Sequence, residues 1–195
     1  EESAMFTNIN DHIKSKLMPL FGWGSNGSGQ LGTGDNIDQS ELAPIKIFDD
    51  INVSQIAGGG SHTVLLYQDG SVYTSGKNTN NQLCRSTDSQ SDFVFKKAEV
   101  YEKVIYIACG WDNTILIFEN KILLYGSNVQ QNICSTHAAN NFIGKNIISL
   151  KFPPTSNEEE TTSSNSIVLC CIGRTHILFL SAAGMLFSWG VGKKG

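Results

Sequence analysis

The sequence predicts an all-β fold of radially packed, four-stranded antiparallel blades, and three observations carry that prediction. The chain repeats itself at a period near 50 residues. Each repeat breaks into short apolar, β-branched runs bounded by Gly, Asn and Asp. The central runs are apolar at consecutive positions, so both faces of their sheets must be covered.

Residues 56–83, IAGGGSHTVLLYQDGSVYTSGKNTNNQL, define the repeat. It returns at 107–133 as IACGWDNTILIFENKILLYGSNVQQNI and at 171–190 as CIGRTHILFLSAAGMLFSWG, with a partial earlier copy, FGWGSNGSGQLG, at 21–32. The closing glycines Gly24, Gly76, Gly126 and Gly190 are separated by 52, 50 and 64 residues. A polar tetrad keeps the same phase: Gly59-Gly60-Ser61-His62, Gly110-Trp111-Asp112-Asn113 and Gly173-Arg174-Thr175-His176 precede their closing glycines by 17, 16 and 17 residues. The 12 extra residues of the last gap therefore lie upstream of Gly173, where PPTSNEEETTSSN (153–165) reads as a disordered insertion. The organisation expected is an N-terminal extension at 1–19 and a partial propeller at 20–195, its repeats at 24–76, 76–126 and 126–190.

Taken in order, the first repeat should give strands at 44–48, 52–57, 62–67 and 71–75, with Gln68-Asp69-Gly70 as a hairpin turn. The second should give 95–100, 104–108, 113–118 and 121–125. The third should give 146–152, 166–171, 176–180 and 185–189, with the insertion between its first two strands. A β-sandwich would not enforce the period; propeller blades would. In an up-and-down blade successive connections alternate between rims. The tetrads and the SNGSGQLG-type loops then share one rim, and the Asp-Gly turn and the insertion share the other.

Composition narrows the class. At 195 residues and 40% hydrophobic content the chain can bury a core, and 19 glycines with 16% charged residues suit a turn-rich β protein. A net charge of −4 without clustered Lys and Arg gives no footprint for nucleic acid. Five cysteines, an odd number without CxxC spacing, indicate neither a disulfide framework nor a zinc site. Cys84 and Cys134 fall at the repeat position of Gly32, which reads as a demand for a small residue at a blade edge. No apolar run approaches the roughly 20 residues of a membrane span, so no membrane insertion is expected and the location reads as cytoplasmic or nuclear. The absence of Met at position 1 reads as a fragment or a misplaced start.

WGSNGSGQLGTGD (23–35) and AGGGSHTVLLYQDGSVYTSG (57–76) resemble regulator of chromosome condensation repeats. The resemblance covers residues 20–190 and implies a seven-bladed β-propeller, of which this chain would supply about three blades as an open arc. ACGWDNT (108–114) is similar to the secretion-regulating guanine nucleotide exchange factor branch. The chain departs from the family at SNVQQNIC (127–134), where GQLG is expected, and at the insertion. The resemblance implies a protein-interaction module that regulates a small GTPase by nucleotide exchange; the alternative is a scaffold or adaptor with no exchange activity.

No catalytic, metal or cofactor site is expected. GWGSNG (22–27) and GSGQLG (27–32) fit G-x-G-x-x-G, but the same loop recurs as SGKNTNNQLC without those glycines, so turn geometry explains it. The candidate partner-binding residues are Trp111, Asp112 and Arg174, which stand where the first tetrad has Gly60-Ser61. Two readings stay open for Trp111 and Asp112. They form an aromatic and carboxylate anchor at a loop tip, or Trp111 folds inward over a blade and Asp112 bonds amides of its own turn. His62, Asn113 and His176 share one register and read as structural residues that satisfy backbone carbonyls. Gly24, Gly59, Gly76, Gly110, Gly126, Gly173 and Gly190 complete the repeat positions.

Overall fold

The computed structural model describes residues 20–45, 52–119, 121–127, 142–144, 147–150, 167–173 and 176–190, with residues 142–144 and 147–150 described for their backbone alone. The described residues contain no helix and form four antiparallel sheets. The first pairs β1 (Leu20–Gly24) with β2 (Gln39–Ile45). The second runs in chain order through β3 (Val53–Gly58), β4 (His62–Tyr67), β5 (Val72–Lys77) and β6 (Ser91–Lys97). The third contains β7 (Tyr106–Cys109), β8 (Asn113–Ile117), β9 (Ile122–Gly126), β10 (Phe142–Gly144) and β11 (Ile147–Leu150), ordered β10-β11-β9-β8-β7. The fourth is β12 (Ile167–Ile172), β13 (His176–Ser181) and β14 (Leu186–Gly190).

The sheets are offset from the sequence repeats by one strand, which corrects the expected grouping. The run expected at 44–48 is β2, and its Pro44 lies opposite Phe21 of the preceding sheet. The run expected at 95–100 is β6, which starts earlier, at Ser91, and pairs with β5. The two described long loops after a closing glycine, those following β1 and β5, are internally braced and return their strands to the same sheet. In the loop after β1, Asn26 Oδ1 accepts from Leu31 N at 2.9 Å and Gln30 Oε1 from Ser28 N at 2.9 Å. In the loop after β5, Asn78 Oδ1 accepts from Leu83 N at 2.8 Å and Gln82 Oε1 from Asn80 N at 2.8 Å. Gly29 and Asn81 take positive φ at matching positions, as do Gly32 and Cys84 (φ 70 and 56). This position therefore demands a left-handed backbone, and at Gly32 a small residue as well, since a Cβ there would stand 2.3 Å from the Phe95 ring. Cys134 lies outside the described residues.

Arg85 and Asp92, both buried, then pin β6 to β5. Arg85 Nε lies 3.2 Å from Asp92 Oδ2, Arg85 Nη2 donates to Thr74 O at 3.2 Å, and Lys96 Nζ lies 2.6 Å from Asp92 Oδ1. Burial would raise the Asp92 pKa, but hydrogen bonds from Lys96 and Arg85 outweigh it and hold the carboxyl below its usual range.

Alternation along the central strands divides the core between two seams. In β4, Leu65 and Tyr67 face back toward Phe95, Leu20 and Ile45, while Val64 and Leu66 face forward to Ile107, Leu116 and Leu123. In β8, Leu116 faces back and Ile115 and Ile117 face forward to Ile167, Cys170, Ile177 and Phe179. The expectation from consecutive apolar residues holds: β4 and β8 are buried on both faces. Eleven buried side chains fill the seam between the second and third sheets, against three in the seam before it, and each contributes about 1.5–3 kcal/mol. Among the described residues the central seam is therefore the most heavily packed, ahead of the nine buried side chains of the seam after it. Gln55 clasps it: Nε2 donates to Ile107 O at 2.8 Å and Oε1 accepts from Ile107 N at 3.0 Å. At the two ends of the array, Phe21, Trp23 and Leu42 in the first sheet and Val168, Leu169, Leu178 and Leu186 in the last are exposed. The 1–19 extension and the 153–165 insertion lie outside the described residues.

Candidate functional site

The site lies on the rim where the tetrads cross the central seam. Each described tetrad closes the same four-residue turn: Gly59 N donates to His62 O at 2.8 Å, Gly110 N to Asn113 O at 2.9 Å and Gly173 N to His176 O at 2.8 Å. The closing glycines run directly beneath. A Cβ at Gly76 would stand 2.4 Å from Ser61 O, and one at Gly126 would stand 2.1 Å from Asp112 O; both residues take positive φ. Only glycine meets both demands. The closing strand end is tied to its tetrad by Lys77 N donating to Ser61 O at 2.8 Å and Ser127 N to Asp112 O at 3.1 Å.

Successive tetrads touch across the seam. Gly60 N donates to Trp111 O at 2.8 Å, and a Cβ at Gly60 would fall 2.8 and 2.9 Å from Cδ2 and Cε2 of the Trp111 indole. Those two atoms form the ring fusion, so Gly60 sits under the middle of one indole face. Trp111 remains 75% exposed. It lies over the preceding tetrad at the rim rather than folding inward. Asp112 also reaches back across the seam, its Oδ1 3.7 Å from Lys77 Nζ. A half-exposed pair at that distance is weak. Arg174, the third candidate, lies outside the described residues, as does Thr175.

His62 is buried, and its Nε2 lies 2.9 Å from Thr114 Oγ1, whose hydroxyl donates to Gln82 O at 2.7 Å. With the hydroxyl proton committed to that carbonyl, Nε2 carries the ring proton. His62 thus reaches the Gln82 backbone carbonyl through Thr114. Burial lowers the His62 pKa to about 4, against the opposing pull of Asp112, so the ring is neutral at physiological pH. Asn113 Nδ2 donates to Ser127 O at 2.9 Å, as a structural residue should. His176 is exposed at the corresponding position of the last sheet. Burial also holds the thiols beneath the rim protonated: Cys84 is pushed well above its ordinary value and Cys109 to about 12. The described residues hold no group of three or more His, Cys, Asp and Glu side chains able to bind a metal.

The sequence could have signalled these cross-seam contacts. Gln55 to Ile107 and His62 to Thr114 each span 52 residues, one repeat period, and Gly60 to Trp111 spans 51. Residues at the same repeat position or one position on meet where successive blades share a boundary.

Antiparallel sheets stacked face to face at a fixed sequence period define a partial β-propeller. The profile of the regulator of chromosome condensation (RCC1) repeat matches residues 19–66 and 69–117, and a second profile of the same repeat matches 53–82. The chain belongs to that family. It is similar to the secretion-regulating guanine nucleotide exchange factor of Bos taurus, with 30% identity over 176 residues, covering 89% of this chain and 35% of that protein. It is similar as well to the regulator of chromosome condensation of Homo sapiens, with 30% identity over 172 residues, 86% of this chain and 37% of that protein. The probable E3 ubiquitin-protein ligase HERC4 of Mus musculus is 30% identical over 187 residues, 93% of this chain and 16% of that protein. The chain thus spans about a third of the length of the first two relatives.

Among solved structures it superposes on human WBSCR16 with a TM-score of 0.72 at 22% identity, covering 89% of this chain and 43% of that one. On Prp20p of Saccharomyces cerevisiae the TM-score is 0.65 at 24% identity, covering 94% and 44%. No helix among the described residues is long and apolar enough to cross a membrane.

Proposed function

We propose that the tetrad rim docks a protein partner, that the partner is a small GTPase, and that docking loosens its bound nucleotide. The observation that carries the reading is Trp111: a large side chain, 75% exposed, held against a glycine floor at the well-packed central seam. A rigid exposed aromatic loses little conformational freedom on binding and buries a large area, which makes it a binding anchor. Asp112 and Lys77 supply charged groups beside it. The chemistry asked of the chain is differential binding of two nucleotide states, which needs no catalytic side chain. The small-GTPase assignment is supported by the relative called a guanine nucleotide exchange factor and by Prp20p, whose structure was described with its binding to Gsp1p and histones. The location that follows is cytoplasmic or nuclear.

A second reading, a scaffold without exchange activity, is favoured by the presence of the same repeats in a small part of the E3 ligase relatives. Release of mant-GDP from a panel of small GTPases, measured beside direct binding, separates the two. Exchange predicts accelerated release from at least one GTPase; the scaffold reading predicts binding at an unchanged release rate. In either case Trp111→Ala should weaken binding by about 2 kcal/mol, or roughly 30-fold. Binding that is unchanged by Trp111→Ala overturns the anchor.

A further inference from the structure

The geometry points to the chemistry of the partner: the docking segment presents a cationic side chain, arginine above all, that stacks on the outer face of Trp111 within an acidic rim. This deepens the proposed docking site and rests on that reading. Gly60 occupies one face of the indole, its Cβ position lying 2.8–2.9 Å from the ring-fusion atoms, so the 75% exposure of Trp111 belongs largely to the opposite face. An indole face carries the negative end of the ring quadrupole and is the best aromatic acceptor for a cation.

The surrounding charge has the same sign. The described loops of this rim carry Asp35, Asp38, Asp88 and Asp112 against Lys77 and the one net positive charge of the Arg85–Asp92–Lys96 cluster. Lys77, 3.7 Å from Asp112, offsets part of its charge without a hydrogen bond, and Asp112 reaches toward the same preceding blade on which the indole lies. The opposite rim also carries carboxylates, Asp69, Glu99, Glu102 and Glu119 beside Lys103 and Lys121, but no tryptophan among its described residues. An arginine fits better than a lysine because its planar guanidinium stacks on the ring and still donates sideways to a carboxylate.

The test titrates the 195-residue chain with hexa-arginine and, as a neutral isostere, hexa-citrulline, following the three tryptophan indole N–H signals by NMR and assigning Trp111 from Trp111→Phe. Hexa-arginine should shift the Trp111 signal saturably and hexa-citrulline should not. Trp111→Ala should weaken hexa-arginine binding about two- to five-fold, the size of an exposed cation–π contact, and Asp112→Asn should weaken it in the same direction. An equal shift with hexa-citrulline, or equal hexa-arginine affinity in Trp111→Ala, overturns the inference. A GTPase that binds through Trp111 while hexa-arginine fails would remove the cationic partner and leave the docking site standing; the reverse would remove the GTPase and leave the cation site.

Discussion

Replacing Gln55 with Leu should open the central seam more than any other single change to a half-exposed side chain. Ile107 is 1% exposed, and its outward amide and carbonyl are satisfied by the Gln55 side chain, at 3.0 and 2.8 Å. Leucine preserves the bulk but leaves one buried donor and one buried acceptor unpaired. Each such group costs about 1–3 kcal/mol, so the loss should be about 2–4 kcal/mol after local relaxation. For a chain of this size that corresponds to a fall in Tm of roughly 5–15 °C. Urea unfolding followed by tryptophan fluorescence would show a lower midpoint at unchanged m, and the Ile107 amide should lose exchange protection. Ser54→Ala is the control, since it removes one exposed hydroxyl bond to Leu66 O and should stay within about 0.5 kcal/mol. If Gln55→Leu matches that control, the clasp does not hold the seam. Because β7 leads directly into the second tetrad, a loosened seam should also disturb the indole over Gly60.

Gly60→Ala should lift Trp111 from its floor and cost about 1–3 kcal/mol by overpacking; an unchanged indole signal with unchanged stability would refute the face-on contact. Trp111→Ala should cost less than about 1 kcal/mol of folding stability because the ring is mostly exposed, and a loss of several kcal/mol in urea unfolding would make it a core residue. Protonating buried His62 favours the unfolded chain, whose imidazole titrates near 6.5 while the folded one titrates near 4. The stability from the neutral ring is full above pH 6.5 and falls by up to about 3 kcal/mol as pH drops to 4. His62→Gln should flatten that window in pH-dependent melts, and an unaltered slope would contradict the assignment.

The repeat made the architecture legible because each strand type recurs with its own burial: the runs at 62–67 and 113–118 are apolar at every turn of the alternation, which only a doubly covered sheet tolerates. Strand grouping was less legible. Gly76 marks the end of a sequence unit, yet the loop after it is braced by Asn78 and Gln82 so that β6 rejoins the same sheet. Sequence periodicity has no preferred origin, whereas a blade does. Trp111 stood out because its sister tetrads carry Gly60 and Arg174. Its orientation did not, since the glycine that forms its floor lies 51 residues earlier and only the stacking of blades brings the two together. Lys77, the partner of Asp112, was hidden for the same reason.

Hydrogen exchange of the chain with and without a bound small GTPase tests the docking rim most directly. Amides of residues 58–61 and 110–113 should gain protection on binding, while those of 68–71 and 98–105 on the opposite rim should not change. Protection confined to the opposite rim would contradict the assignment of this surface as the partner site.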